Sequence, residues 1–312
     1  MTSRVPYLIF IANPKAGGGK TLYQWPSIQK AMELLKWKYE IYWSQYSRHS
    51  VQLASDAVNY NPDYIIAFGG DGTVHEVFEG AYHVKEKLKD TALTAFPIGT
   101  GNDWSRYWKI PRKINEWTAM ILQGKIYLHD VGKVAYVDEQ GRQTSSLFIN
   151  VAGMAYDAYV AHFIESKKKK MKMGGMQYLY FIFRCLFGYS LQESMIHIKG
   201  KKLKDKFYTI NVGICPYSGG GLQIVPQADP TDGLLAFTAV RPVNKFQVIW
   251  LSRHFYSGKL LKSEHIIHDS VTHLEVTPGM NEKIKLEADG EYLGNLPASF
   301  SVLPKALKIC AP

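Results

Sequence analysis

Apolar residues fall into two rhythms along this chain, and the rhythm changes near its middle. In the first part, short unbroken apolar runs alternate with stretches of helical spacing. Tyr7–Ala12, Tyr39–Trp43, Tyr64–Phe68 and Leu93–Phe96 read as strands. Ile28, Ala31, Met32 and Leu35 share one helical face, as do Leu53, Ala54, Ala57 and Val58, and later Val74, Val77, Phe78 and Ala81. This order predicts a mostly parallel sheet covered by helices. After about Ile126, short strand-like runs dominate: Ile126–Val137, Ser146–Val151, Met195–Ile198, Phe207–Cys215, Gly233–Val240, His273–Val276 and Ile284–Ala288. Turn signals at Asp138–Gly141, Pro278-Gly279 and Asp289-Gly290 separate them. A mostly antiparallel β domain follows, interrupted by helices near Ala158–Glu165, Met176–Tyr189 and Lys245–Ser257.

Three polar, Gly-rich loops follow strands of the first half: Asn13–Lys20, Gly69–Thr73 and Gly99–Asp103. In a parallel sheet they share the carboxyl edge, where ligands collect. The run Tyr64–Phe68 leads straight into Gly69-Gly70-Asp71-Gly72-Thr73, with Thr73 the expected cap of the next helix. Backbone N–H groups at such a turn suit phosphate. Asp71 repels phosphate, so its expected role is to hold a cation that phosphates share. The first loop, Asn13-Pro14-Lys15-Ala16-Gly17-Gly18-Gly19-Lys20-Thr21, is not a P-loop, because Pro14 stands where that motif needs glycine. Lys15 or Lys20 reads equally as a phosphate contact or a solvated lysine. Asp103 reads as part of a nucleotide loop or as a helix N-cap.

The second half offers two acidic turns. Asp229-Pro230-Thr231-Asp232-Gly233 reads as a plain turn, or as an oxygen cage in which Asp232 and nearby carbonyls hold Mg²⁺. Glu287-Ala288-Asp289-Gly290-Glu291 reads as a surface hairpin, or as the carrier of the carboxylate that takes a proton from an acceptor hydroxyl.

Charge narrows the partners. A net charge of +10 points to an anionic one. The basic residues do not spread with interleaved aromatics over one face, and no nucleic-acid motif is present, so nucleic acid is not expected. They cluster at Lys167–Lys172, beside the aromatic stretch Met176–Leu191. That run is either a solvated loop or a dock for an anionic bilayer. Three cysteines without metal-ligand spacing suit a reduced, cytoplasmic protein. Tyr7–Ala12 is too short for a signal peptide. The best candidate membrane span, Tyr178–Leu191, has 14 residues and contains Arg184, whereas a span needs ~20.

Taken in order, these blocks resemble the diacylglycerol kinase catalytic-domain family, which includes bacterial soluble lipid kinases and sphingosine and ceramide kinases, with NAD kinases as distant relatives. The match rests on Asn13-Pro14 with Gly17, Gly69–Thr73 with Glu76, Gly99-Thr100 with Asn102-Asp103, Gly219–Gly221, Asp232–Leu235 and Asp289–Glu291. The resemblance implies an α/β ATP-binding domain over 1–126, with 304–312 returning to it. It further implies a β-sandwich lipid-binding domain over 127–303, with the active site in the cleft between them. Asn13, Pro14, Lys15, Ala16 and Gly17 would form the first ATP loop. Ser44 would contact nucleotide. Gly70, Asp71, Gly72, Thr73, Val74, His75 and Glu76 would wrap the phosphates, with Asp71 organising the catalytic Mg²⁺. Thr100 would contact nucleotide and Asp103 extend the Asp71 network. Glu291 would be the general base, with Asp289 close by. Asp232, with the carbonyls of Asp229 and Leu234, would hold a structural Mg²⁺. Two positions depart from the family pattern: His75, where many members have asparagine, and Ala16, where many have serine. The implied activity is transfer of the ATP γ-phosphoryl group to the hydroxyl of a diacylglycerol-like lipid. A sphingoid-base or ceramide kinase, an NAD kinase and a non-catalytic nucleotide- or lipid-binding protein remain alternatives. The implied partner is a lipid at an anionic membrane surface, met by a cytoplasmic, peripherally associating protein, with room for a homodimer.

Overall fold

A computed structural model describes residues 5–168, 184–255, 258 and 260–312. The chain forms two compact units: one runs to His129 and includes Lys305–Pro312, and the other is Asp130–Pro304.

The first unit is a parallel sheet layered with helices. Its strands β1 (Tyr7–Ala12), β2 (Lys38–Trp43), β3 (Tyr64–Gly69) and β4 (Ala92–Pro97) alternate with helices α1 (Lys20–Leu34), α2 (His49–Ala57) and α3 (Asp71–His83). Helices α4 (Asp103–Tyr107) and α5 (Ile114–Gln123) follow. The sheet order is β4-β3-β1-β2, all parallel. Every residue of β1 and β4 is buried, whereas β2, at the edge, is partly exposed. That explains the unbroken apolar runs, since inner strands of a parallel sheet are covered on both faces. Trp117 of α5 seals the core and donates its indole N–H to the Ala95 carbonyl at 2.8 Å. The chain end joins this sheet, with Ile309 opposite Leu93 in parallel register.

The second unit is antiparallel. Strands β5 (Ile126–Val137) and β6 (Gln143–Phe148) form a hairpin, and β7 (Val151–Ala155) leads into α6 (Tyr156–Lys168). Next come β8 (Ser194–Ile198), β9 (Lys201–Asp205), β10 (Thr209–Gly213), the two-residue pair β11 (Tyr217–Ser218) and β12 (Leu222–Gln223), and β13 (Leu235–Val240). Helix α7 (Lys245–Phe255) precedes β14 (Ile266–Val271), β15 (His273–Pro278), β16 (Lys285–Ala288) and the long β17 (Glu291–Cys310). One path runs β14-β13-β10-β7-β16-β17. Phe148, Phe237 and Phe300 are fully buried in its core, and each such burial stabilises by ~1.5–3 kcal/mol.

Several sequence expectations need correction. The run Ser146–Val151 is the end of β6 and the start of β7, separated where Ile149 and Asn150 turn the chain. Strands β9 and β14 carry no clear apolar run: β9 is mostly lysine, and His268-Asp269-Ser270 interrupts β14. Lysines in β9 suit an edge strand, where charge discourages pairing with another chain. The lysine run Lys167–Lys172 lies largely outside the described residues, as does the first half of Met176–Leu191. Among the described residues, no helix is long and apolar enough to cross a membrane.

Candidate active site

In the first unit the three loops meet at the carboxyl edge of the sheet. The Asn13 N–H donates to the Phe68 carbonyl at 3.2 Å, and the Ile98 N–H donates to the Gly69 carbonyl at 2.8 Å. Glycine is needed where they touch. Gly17 has φ of +58°, and a Cβ there would lie 2.8 Å from the Ile98 carbonyl oxygen. A Cβ on Gly99 would lie 2.7 Å from the Cα of Gly70. Asn13 folds its own loop, its Oδ1 accepting the Lys15 N–H at 2.9 Å. Ser44 is buried at the end of β2 and donates its backbone N–H to the Ala12 carbonyl at 2.8 Å. Lys15 and Thr100 are exposed, while Pro14 and Ala16 are half-buried.

The helix boundaries differ from the capping expectations. Helix α3 begins at Asp71 with Gly70 as its N-cap and no side-chain cap bond, so Thr73 lies inside the first turn. Helix α4 begins at Asp103, and Asn102, in left-handed conformation, is its N-cap. The Asp71 side chain, from the neighbouring loop, meets the N–H groups that open α4. Its Oδ1 accepts the Asp103 N–H at 2.6 Å, and N–H groups of Asn102 and Trp104 also face its carboxyl. Asp71 thereby ties the second loop to the third. Burial, then the negative Asp103, pushes its pKa up to about 6, against those three N–H groups. Two acids held together at such a cost suit a divalent cation, which removes the repulsion.

Val74, Thr73 and His75 are buried in the first turns of α3, and Gly72 is exposed. Glu76 is half-buried. Its two carboxylate oxygens accept the N–H groups of Arg48 and Ser50, each at 3.2 Å, at the start of α2. It therefore fixes α2 to α3. His75 Nε2 sits 3.5 Å from Glu79 on the same helix.

In the second unit, Asp289 and Gly290 both take positive φ, +49° and +84°, as a two-residue turn between β16 and β17 requires. Ala288 and Glu291 close that turn as a strand pair. The Asp289 carboxylate accepts three backbone N–H groups, from Ile149 and Asn150 at 2.9 Å and from Val151 at 3.2 Å. Asp289 is a clamp between the β6–β7 connection and the turn. Those three residues are buried, so Asp289→Ala leaves buried donors unpaired at ~1–3 kcal/mol each. We expect a loss of about 2–4 kcal/mol in urea unfolding, and a smaller loss for Asp289→Asn, which keeps the oxygen shared by Asn150 and Val151.

The turn at Asp229–Leu234 gathers a third acid that the sequence reading missed. Asp130 Oδ2 accepts the Gly233 N–H at 2.6 Å, and the Asp130 N–H donates to the Pro230 carbonyl at 2.7 Å. Asp232 accepts the Leu234 N–H at 2.8 Å, while Asp229 is engaged by Thr231. Burial chiefly, then negative Asp229 and Asp130, raises the Asp232 pKa. The signal for Asp130 in the sequence is an acid inside the apolar run of β5, where the residue is fully buried. No three His, Cys, Asp or Glu side chains converge as metal ligands among the described residues. A hard cation on this turn would draw on Asp232 and on backbone oxygens.

With this geometry in view, residues 7–134 match the diacylglycerol kinase catalytic domain. Residues 150–311 match the YegS C-terminal NAD kinase beta sandwich-like domain. The chain belongs to the diacylglycerol kinase family defined by this pair of domains. A diacylglycerol kinase of Bacillus subtilis (strain 168) is 27% identical over 274 residues, covering 85% of this chain and 86% of the relative. A diacylglycerol kinase of Staphylococcus aureus (strain MRSA252) is 26% identical over 302 residues, covering 97% and 91%. The fold is shared with the crystal structure of a diacylglycerol kinase from Bacillus anthracis str. Sterne, at TM-score 0.70 and 20% identity, covering 100% of this chain and 98% of that one. Membership of a kinase family makes phosphoryl transfer the class of chemistry.

Proposed function

We propose that this protein is an ATP-dependent lipid kinase that converts diacylglycerol to phosphatidic acid. The observation carrying it is the junction of three glycine-bearing loops around the Asp71–Asp103 acid pair, which suits a triphosphate with its cation. The names of the two relatives support the choice of lipid. Asn13–Gly17, Ser44, Gly70–His75 and Thr100 hold ATP in this reading. Glu76 supports them by fixing α2. Asp71, with Asp103 beside it, holds Mg²⁺, which neutralises charge on the phosphates when bound. Glu291 accepts the proton of the lipid hydroxyl as its oxygen bonds to the γ-phosphorus. The bond from that phosphorus to the bridging oxygen breaks, and ADP leaves. Asp289 is not the base in this scheme, because three backbone N–H groups already engage its carboxylate. Asp232 and the carbonyls of Asp229 and Leu234 hold a second, structural Mg²⁺.

The lipid reaches the protein at an anionic bilayer, where the Lys167–Lys172 run docks. The test is a phosphotransfer assay with ATP and, in parallel, diacylglycerol, sphingosine, ceramide and NAD. Phosphatidic acid as the main product supports the reading. Preferential phosphorylation of sphingosine, ceramide or NAD reassigns the acceptor, and turnover of none of them sinks the kinase reading.

A further inference from the structure

Glu287 has no part in the chemistry above, yet it is an acid with only 5% of its surface exposed. It stands on β16 opposite Gly153 of β7. Its Oε2 accepts the Gly290 N–H at 2.7 Å, inside the turn that ends at Glu291. A Cβ built on Gly153 would lie 2.6 Å from Glu287 Oε1, 3.0 Å from Asp157 Cβ and 3.2 Å from Asn211 Oδ1. Three polar side chains from three elements therefore crowd over one glycine. Asn211 Oδ1 is buried and has no hydrogen-bond partner.

The charged neighbours of Glu287 are all negative: Asp157 from α6 and Asp289 from the turn. The neutral groups around Asp157 are Thr209, which donates its hydroxyl to Asp157 Oδ2 at 2.6 Å, and Asn211, both from β10. Among the described residues, no cation is among the groups that act on either acid. A buried carboxylate without a cation is costly, and two adjacent ones cost more. Burial pushes both carboxyls up, Glu287 well above its usual range.

We propose that Glu287 is a positioning residue for Glu291: as a neutral carboxyl it donates its Oε1 proton to Asn211 Oδ1, accepts the Gly290 N–H on Oε2, and so fixes the turn that aims the base. Both ends of the carboxyl are then satisfied, and so is the buried oxygen of Asn211. Gly153 is glycine because the carboxyl occupies the space of its side chain. The aiming role rests on the kinase reading above, whereas the proton on Glu287 does not.

The test pairs two substitutions with infrared spectroscopy. Glutamine reproduces the pattern, with its amide N–H replacing the carboxyl proton. Glu287→Gln should keep kcat within about twofold, while Glu287→Ala should lower kcat roughly 10–100-fold, as expected when a reacting group is misplaced, with KM for ATP unchanged. At pH 7 the wild type should show a protonated-carboxyl C=O band that Glu287→Gln lacks. Loss of activity in Glu287→Gln equal to that in Glu287→Ala would overturn the proposal, as would the same band in both proteins or full activity in Glu287→Ala. Should the alanine variant not fold, the glutamine variant and the band decide. The band is read without turnover, so failure of the kinase reading is told apart from failure of this one.

Discussion

Glu291→Gln is expected to lower lipid phosphorylation roughly 10²–10⁴-fold, the range for losing a positioned general base. The substitution is nearly isosteric and leaves the turn to Asp289 and Gly290, whose backbone contacts hold it. KM for ATP should change little, because Glu291 acts on the acceptor hydroxyl. Steady-state kinetics with varied ATP at saturating lipid measures both quantities. A wild-type kcat would remove Glu291 from the chemistry. The neighbouring Asp289 serves as the control: its substitution should appear mainly in stability, since its oxygens are bound to buried N–H groups.

Asp71→Asn should be the second large loss, and it carries a signature in pH. Asparagine still offers an oxygen to the Asp103 N–H, so the junction of the loops survives. The negative charge that would hold Mg²⁺ is gone, and phosphoryl transfer should fall by roughly 10²-fold or more, as when electrostatic stabilisation of the transferring group is removed. In the absence of metal the sign for stability is the opposite. The folded-state pKa of Asp71, about 6, lies above the ordinary aspartate value of 3.8. The native state therefore holds a proton that the unfolded state has released across that window. Stability from this group is complete below pH 4 and is lost as pH rises to about 6, at about 1.4 kcal/mol per unit. Asp71→Asn should flatten that slope, so the metal-free variant is the more stable protein at pH 7. Urea unfolding at pH 4 and 7, with chelator, reads it. Equal slopes in wild type and variant would refute the electrostatic account of Asp71.

The strands of the first unit were legible because β1 and β4 are buried on both faces and so read as unbroken apolar runs. The turn at Asp289-Gly290 was legible because few residue pairs accept two positive φ angles. Helix starts were less so. Asp71 lies in one loop and faces the N–H groups at the start of α4, so no local capping rule found the boundary. Glu76 follows the glycine turn in sequence, and its contacts with the start of α2 come from a segment far away along the chain. Asp130 and Glu287 carry no local signal beyond an acid in a strand. Their partners lie far away in sequence: antiparallel pairing brings Gly153 and Asn211 near Glu287, and a turn brings Gly233 to Asp130.

The proposed reaction is transfer of the γ-phosphoryl group of ATP to a lipid hydroxyl. Incubating the protein with γ-labelled ATP, Mg²⁺ and diacylglycerol in anionic vesicles, then extracting the lipid phase, tests it most directly. Label should appear in phosphatidic acid, dependent on the divalent cation and lowered roughly 10²-fold or more by Asp71→Asn. Label confined to inorganic phosphate or unreacted ATP, with a folded protein and every component present, would contradict it.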